Sequence, residues 1–188
     1  MSKKPLIIST DPGIDDIAAM TISLFAAELD VKMIVPTWGN VSLAHTLQNT
    51  LDLENFLHTK VPVVKGANQP LVRPAISAAS VHGETGIAGF EFEKANDDLL
   101  EPGLAATKMY EAIKNSPEKV TLLGVGPLTD FALLFKQYPD VVENIAEVYI
   151  MGGNIGHGNH SPFAEYNIAG DPEAAQIVFH SGLPVYVA

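Results

Sequence analysis

The sequence predicts an α/β fold: a mostly parallel open sheet with helices on both faces. Three observations carry the prediction. Short apolar runs alternate with segments of helical apolar spacing along the chain. Hydrophobic residues make up 47% of its 188 residues, enough for a packed core. Asp11, Trp38, Val125 and Gly152 each lie at or just past the end of a predicted strand, so the distinctive loops share one end of the sheet.

Taken in order, Pro5-Leu6-Ile7-Ile8-Ser9 reads as a short buried strand and Ile17 to Ala27 as a helix. Val31 to Pro36 reads as a second strand, Leu43 to Leu57 as a helix, and Val61 to Val64 as a third strand. Residues 68–102 read as irregular, punctuated by Pro70, Pro74, Gly83, Gly86, Gly89 and Pro102. Long loops of that kind are often functional. Gly103 to Asn115 reads as a helix, Val120 to Leu123 as a strand and Leu128 to Phe135 as a helix. Ile145 to Met151 reads as a strand and Asn154 to Asn167 as a Gly- and His-rich loop. Pro172 to His180 reads as a helix, with Pro172 suited to its first turn, and Val185 to Val187 as a strand. No internal repeat or linker interrupts the pattern, so residues 1–188 are expected to form a single domain.

Composition excludes several functions. The formal net charge is −11, from 11 Lys and Arg against 22 Asp and Glu, which disfavours nucleic acid as a partner. No cysteine is present, so disulfides, thiolate metal sites and Cys nucleophiles are excluded. Met1-Ser2-Lys3-Lys4 runs directly into a strand, and no apolar stretch approaches the ~20 residues of a membrane span. No membrane partner and a cytoplasmic location are expected.

The most informative segment is Thr10-Asp11-Pro12-Gly13-Ile14-Asp15-Asp16, at a strand-to-helix turn. Its crowded carboxylates repel one another unless a cation sits among them, and a hard ion such as Ca²⁺ or Mg²⁺ prefers oxygen ligands. The plainer explanation is local. Pro-Gly makes turns, and Asp in a first helical turn meets the positive end of the helix dipole, worth about 0.3–1 kcal/mol. An EF-hand is excluded: counting from Asp11, the sixth position is Asp16 rather than Gly and the twelfth Ile22 rather than Glu.

At these residues the chain resembles the inosine-uridine-preferring nucleoside hydrolase family. The Asp-Pro-Gly-x-Asp-Asp turn is followed by Thr37-Trp38-Gly39-Asn40, Val81-His82-Gly83-Glu84-Thr85-Gly86, Gly124-Val125-Gly126-Pro127-Leu128-Thr129-Asp130, and the block from Met151-Gly152-Gly153 through Asn159 and Glu165-Tyr166-Asn167 to Asp171-Pro172-Glu173-Ala174-Ala175. These segments stand in the family's order. The resemblance implies a Rossmann-like nucleoside hydrolase core and hydrolysis of the N-glycosidic bond of a ribonucleoside, in purine and pyrimidine salvage. It implies a Ca²⁺ cofactor held by Asp11, Asp16 and the Val125 carbonyl, with Asp11 as catalytic base. It places Asp15, Asn40, Met151, Asn159, Glu165 and Asn167 at the ribose and His82 near the base, in a homodimer or homotetramer.

Each of these residues also has a structural explanation. Asp15 can serve the helix dipole, Asn40 a turn, and Asn159 an exposed loop. Glu165 and Asn167 flanking Tyr166 can be the outer face of a strand. His45 and His58 read as surface residues, His180 as a helix C-terminal residue that favours the dipole when charged, His157 and His160 as loop residues rather than a transition-metal His-x-x-His pair, and Trp38 as packing rather than base stacking.

Two departures from the family stand out. Ser9 occupies a position that is usually Asp. The chain also ends at Ala188, where another site-forming loop would begin, so a further metal ligand and a leaving-group acid are expected beyond it, in a longer protein. Two competing functions follow: a non-catalytic nucleoside-binding relative or inactive fragment, and an Mg²⁺-dependent phosphohydrolase with Asp11 as nucleophile. Haloacid-dehalogenase-like enzymes of the second kind carry a further Asp two residues on, where this chain has Gly13.

Overall fold

Seven short strands form one wholly parallel sheet in the computed structural model, which describes residues 3–188. Met1 and Ser2, part of the N-terminal segment discussed above, lie outside the described residues. The strands are β1 (Lys4–Thr10), β2 (Leu29–Pro36), β3 (Val63–Val64), β4 (Leu100–Glu101), β5 (Val120–Gly124), β6 (Ile145–Ile150) and β7 (Val185–Val187). Their order across the sheet is β4-β3-β2-β1-β5-β6-β7. Apart from Lys4, every residue of β1 is buried, as expected of a central strand covered on both faces.

The helices are α1 (Ile14–Phe25), α2 (Leu43–Leu57), α3 (Ala79–His82), α4 (Ala105–Lys114), α5 (Thr129–Gln137), α6 (Tyr166–Gly170) and α7 (Pro172–Phe179), with a 3₁₀ turn at Pro139–Asn144. They cover both faces. On one side, Ile7, Val35, Leu122 and Val148 pack with Met109 and Ile113 of α4, Phe131 and Leu134 of α5, and Val178 of α7. On the other, Ile34 packs with Met20 of α1 and Leu53 of α2. Each fully buried large aliphatic side chain contributes about 1.5–3 kcal/mol. Among the described residues, no helix is long and apolar enough to cross a membrane.

The order of the strands positions the site. From β1 the sheet grows one way through β2 and the other way through β5, so the topology reverses between β1 and β5. Ligands of open parallel sheets bind beyond the carboxyl ends of the strands at such a switch point. Asp11 follows β1 and Val125 follows β5.

The irregular stretch 68–102 contains the four-residue α3 and the two-residue β4, both too short for a periodic signal. A further difference concerns the end of the 154–167 loop, where Glu165-Tyr166-Asn167 could also be the outer face of a strand. It opens α6 instead, with Glu165 as the capping residue.

Candidate active site

The Asp-rich turn folds onto its own backbone. Asp16 sits at the third position of α1 and its carboxylate turns back, accepting from Gly13 N at 3.1 Å and Thr10 Oγ1 at 2.7 Å. Asp11 is 1% exposed. Its Oδ2 accepts from Asn40 N at 2.7 Å, while Asn40 Nδ2 donates to the Asp11 carbonyl at 3.0 Å. Gly39 and Gly126 wall the carboxylate closely, and a Cβ on either would collide with it. Both are positions where only hydrogen fits.

Asp11 Oδ1 is buried without a hydrogen-bond partner among the described residues, as is Ser9 Oγ on the strand below. Burial pushes the Asp11 pKa well above the usual carboxylate range. The negative charge of Asp16 adds to this, and the Asn40 N–H opposes it. Asp16 is pushed up to about 6, again chiefly by burial, against the bonds from Thr10 and Gly13. Two buried carboxylates therefore share a site in which neither ionises easily.

The opposite wall is built by the loops after β5 and β6. Glu165 caps α6, accepting from Asn167 N at 2.9 Å and Ile168 N at 3.0 Å, and it also accepts from Gly153 N at 3.1 Å. Asn167 Nδ2 lies 3.0 Å from the Val125 carbonyl, 3.2 Å from the Met151 carbonyl and 3.3 Å from Met151 Sδ. Asn159 Oδ1 accepts from Tyr166 N at 2.7 Å. The Tyr166 hydroxyl donates to the Gly39 carbonyl at 3.0 Å, and burial beside the Asp11 charge pushes its pKa up.

Between these walls lies a cavity of about 190 Å³. Asp15, Asp16, Asn40, His82, Val125, Met151, Asn159, Glu165 and Asn167 all line it, and Asp11 lies behind the wall. The residues singled out from sequence thus converge on one place. Tyr166, Ala78 and Val81 line it as well, unforeseen from sequence. Tyr166 had a signal, since it stands between two candidate residues. Val81 had one too, since it opens the His82-Gly83 segment, whereas Ala78 had none, because α3 is too short to recognise.

His82, half-buried at the end of α3, rests against Gly13: a Cβ there would lie 2.8 Å from His82 Nδ1. His45, His58, His157, His160 and His180 are exposed. Trp38 is buried, its indole N–H bonded to Thr129 Oγ1 at 3.0 Å, so it packs and does not stack on a ligand.

Among the described residues, no group of three or more His, Asp or Glu gathers to hold a metal. The turn offers a different donor set: the Asp11 and Asp16 carboxylates and the Val125 carbonyl, all hard oxygens. The orphaned Asp11 Oδ1 and the mutually unfavourable carboxylates fit a divalent cation. The raised pKa values give that fit a pH signature. Without cation, the folded chain holds protons that the unfolded chain has released between about pH 4 and 6. That stabilisation is present below the unfolded-state pKa and is lost as pH rises through about 6. Cation binding requires ionised carboxylates. If a divalent cation such as Ca²⁺ binds here, the rise in melting temperature on its addition is therefore expected to be larger at pH 7.5 than at pH 5. An equal or larger increase at pH 5 would contradict binding at these carboxylates.

Comparison with known proteins identifies the family. The family described as inosine-uridine preferring nucleoside hydrolase matches residues 6–188. The chain is 50% identical over 182 residues to the non-specific ribonucleoside hydrolase RihC of Klebsiella pneumoniae subsp. pneumoniae, covering 96% of this chain and 59% of that one. It is 46% identical to the protein of the same name from Escherichia fergusonii, with the same coverage. The purine-preferring ribonucleoside hydrolase from Gardnerella vaginalis superposes with a TM-score of 0.92 at 30% identity, over 98% of this chain and 60% of that one. The chain thus spans about three-fifths of the length of these relatives.

Proposed function

Because the chain belongs to the inosine-uridine preferring nucleoside hydrolase family, we propose that its cavity binds a ribonucleoside and hydrolyses the N-glycosidic bond. The observation that carries this is the Asp11 slot. A buried carboxylate with one free oxygen is walled by Gly39 and Gly126, beside Asp16 and the Val125 carbonyl.

By analogy with glycosides, the transition state carries positive charge on the sugar. A Ca²⁺ ion held by the Asp11 and Asp16 carboxylates and the Val125 carbonyl would position a water and lower its pKa. Asp11, whose Oδ1 is left without a protein partner, would take the water proton as oxygen bonds to the anomeric carbon. The carbon–nitrogen bond breaks and its electron pair leaves with the base. Asp15, Asn40, Asn159, Glu165 and Asn167 orient the ribose hydroxyls, with Met151 against the sugar and His82 towards the base. The hydrogen bonds that Glu165 and Asn167 make to backbone hold their free faces in place before substrate arrives, which lowers the ordering cost.

Ser9, uncharged and unpartnered below the site, favours one competing reading: a relative that binds nucleosides without turning them over. Formation of ribose and free base from inosine or uridine supports hydrolysis, and nucleoside binding without products supports the alternative. Assembly into a homodimer or homotetramer belongs to the same reading. Ile14, Ile22 and Phe25 support it, because all three are exposed along α1.

A further inference from the structure

We infer that the Thr129 hydroxyl, linking Trp38 to Asp171, is a positioning node that holds three site-forming loops in register behind the cavity. The inference rests on the function proposed above. It gives a role to Trp38 and to the Asp171-Pro172 block, which the proposed chemistry leaves unused.

Thr129 Oγ1 accepts from Trp38 Nε1 at 3.0 Å and donates to Asp171 Oδ2 at 2.7 Å. Asp171 Oδ2 also accepts from Leu71 N at 2.9 Å, and its Oδ1 caps α7 through Ala174 N at 3.0 Å. The three side chains are 2%, 1% and 0% exposed. The hydrogen-bond directions are fixed by chemistry. An ionised carboxylate only accepts and an indole N–H only donates, so the hydroxyl must give its proton to Asp171 and offer a lone pair to Trp38. A threonine or serine hydroxyl satisfies both at once, and a valine of the same shape satisfies neither.

Each member sits at the root of a wall of the site. Trp38 directly precedes Gly39, which walls the Asp11 carboxylate, and Asn40, whose backbone N–H donates to it. Thr129 opens α5 at the end of the turn that begins with Val125. Asp171 follows α6, which carries Asn167. Gly170 brings this last segment so close to Trp38 that a Cβ there would lie 2.9 Å from the indole ring. One hydroxyl therefore ties the loops after β2, β5 and β6 together. Its removal leaves a buried indole N–H unpaired next to the peptide that holds Asp11. A displacement of about 1 Å at a reacting group can cost on the order of a hundredfold in rate.

The test compares Thr129→Val with Thr129→Ser in the otherwise unchanged protein. Circular dichroism first establishes that each is folded at the assay temperature. Thr129→Val is expected to lower kcat for inosine about tenfold or more and to weaken calorimetrically measured Ca²⁺ affinity about tenfold. The emission of Trp38, the single tryptophan, is expected to change with it. Thr129→Ser, which keeps the hydroxyl, is expected to retain wild-type kcat, Ca²⁺ affinity and emission. If Thr129→Val lowers only the melting temperature, with kcat and Ca²⁺ affinity unchanged, the node is merely structural and the inference fails. A wild-type protein that neither binds Ca²⁺ nor releases base refutes the proposed function, and this inference with it, before any variant is made.

Discussion

Asp11→Asn is expected to lower nucleoside hydrolysis by at least about a thousandfold while leaving the fold intact. The substitution is isosteric and its side-chain oxygen can still accept from Asn40 N, so the slot between Gly39 and Gly126 is preserved. What disappears is the negative charge. On the proposed mechanism the proton acceptor is lost, which alone costs about 10²–10⁴-fold, and the cation loses one of its two carboxylates. Stability should move the other way. Burial and Asp16 disfavour the Asp11 charge, so removing it relieves a cost at neutral pH. The cation-free variant is therefore expected to melt at or above the wild-type temperature at pH 7.5. Turnover at the wild-type rate would remove Asp11 from the chemistry. Loss of turnover together with an unfolded variant would leave the loss attributable to folding.

The second large effect is expected from Gly126→Ala. Gly126 does not have a positive φ, so alanine suits its backbone, and the consequence is purely steric. The new methyl would run into Asp11 Oδ1 and lie 2.8 Å from its Cγ and 3.1 Å from its amide nitrogen. The carboxylate must move, because the atoms the methyl meets first are its own Oδ1 and Cγ, with the Asp11 backbone nitrogen close behind. A shift of this size is expected to cost about a hundredfold or more in turnover and to abolish the Ca²⁺-induced rise in melting temperature. A Gly126→Ala protein that keeps both would show that the Asp11 slot need not be so narrow.

Much of this fold is legible in the sequence because its central strands, β1 and β5, are almost wholly buried. The β1 run and the periodicity of α2, found at Leu43–Leu57 as expected, depend on local pattern alone. The start of α1 is less legible. It begins at Ile14 rather than Ile17 because Asp16 turns back to receive the Gly13 amide, which the apolar spacing does not reveal. Glu165-Tyr166-Asn167 shows a different limit. Three residues cannot distinguish a period of 2 from the first turn of a helix, and glutamate is an uncommon cap. Strand order carries no local signature. The adjacency of β1 and β5, which brings Asp11 to Val125, arises only when the sheet assembles. The candidate site was legible as a set of residues, nine of which line a single cavity. The hydrogen bonds that orient Glu165 and Asn167, and the node at Thr129, depend on contacts between distant segments.

The most direct measurement is free-base release from inosine by the purified protein, followed continuously through chelation with EGTA and re-addition of Ca²⁺. Release that stops on chelation and recovers with Ca²⁺ is expected if the Asp11 slot is a cation-dependent hydrolytic centre. Release unaffected by chelation would contradict the role of the cation, and bound but unhydrolysed inosine at saturating Ca²⁺ would contradict the hydrolytic function itself.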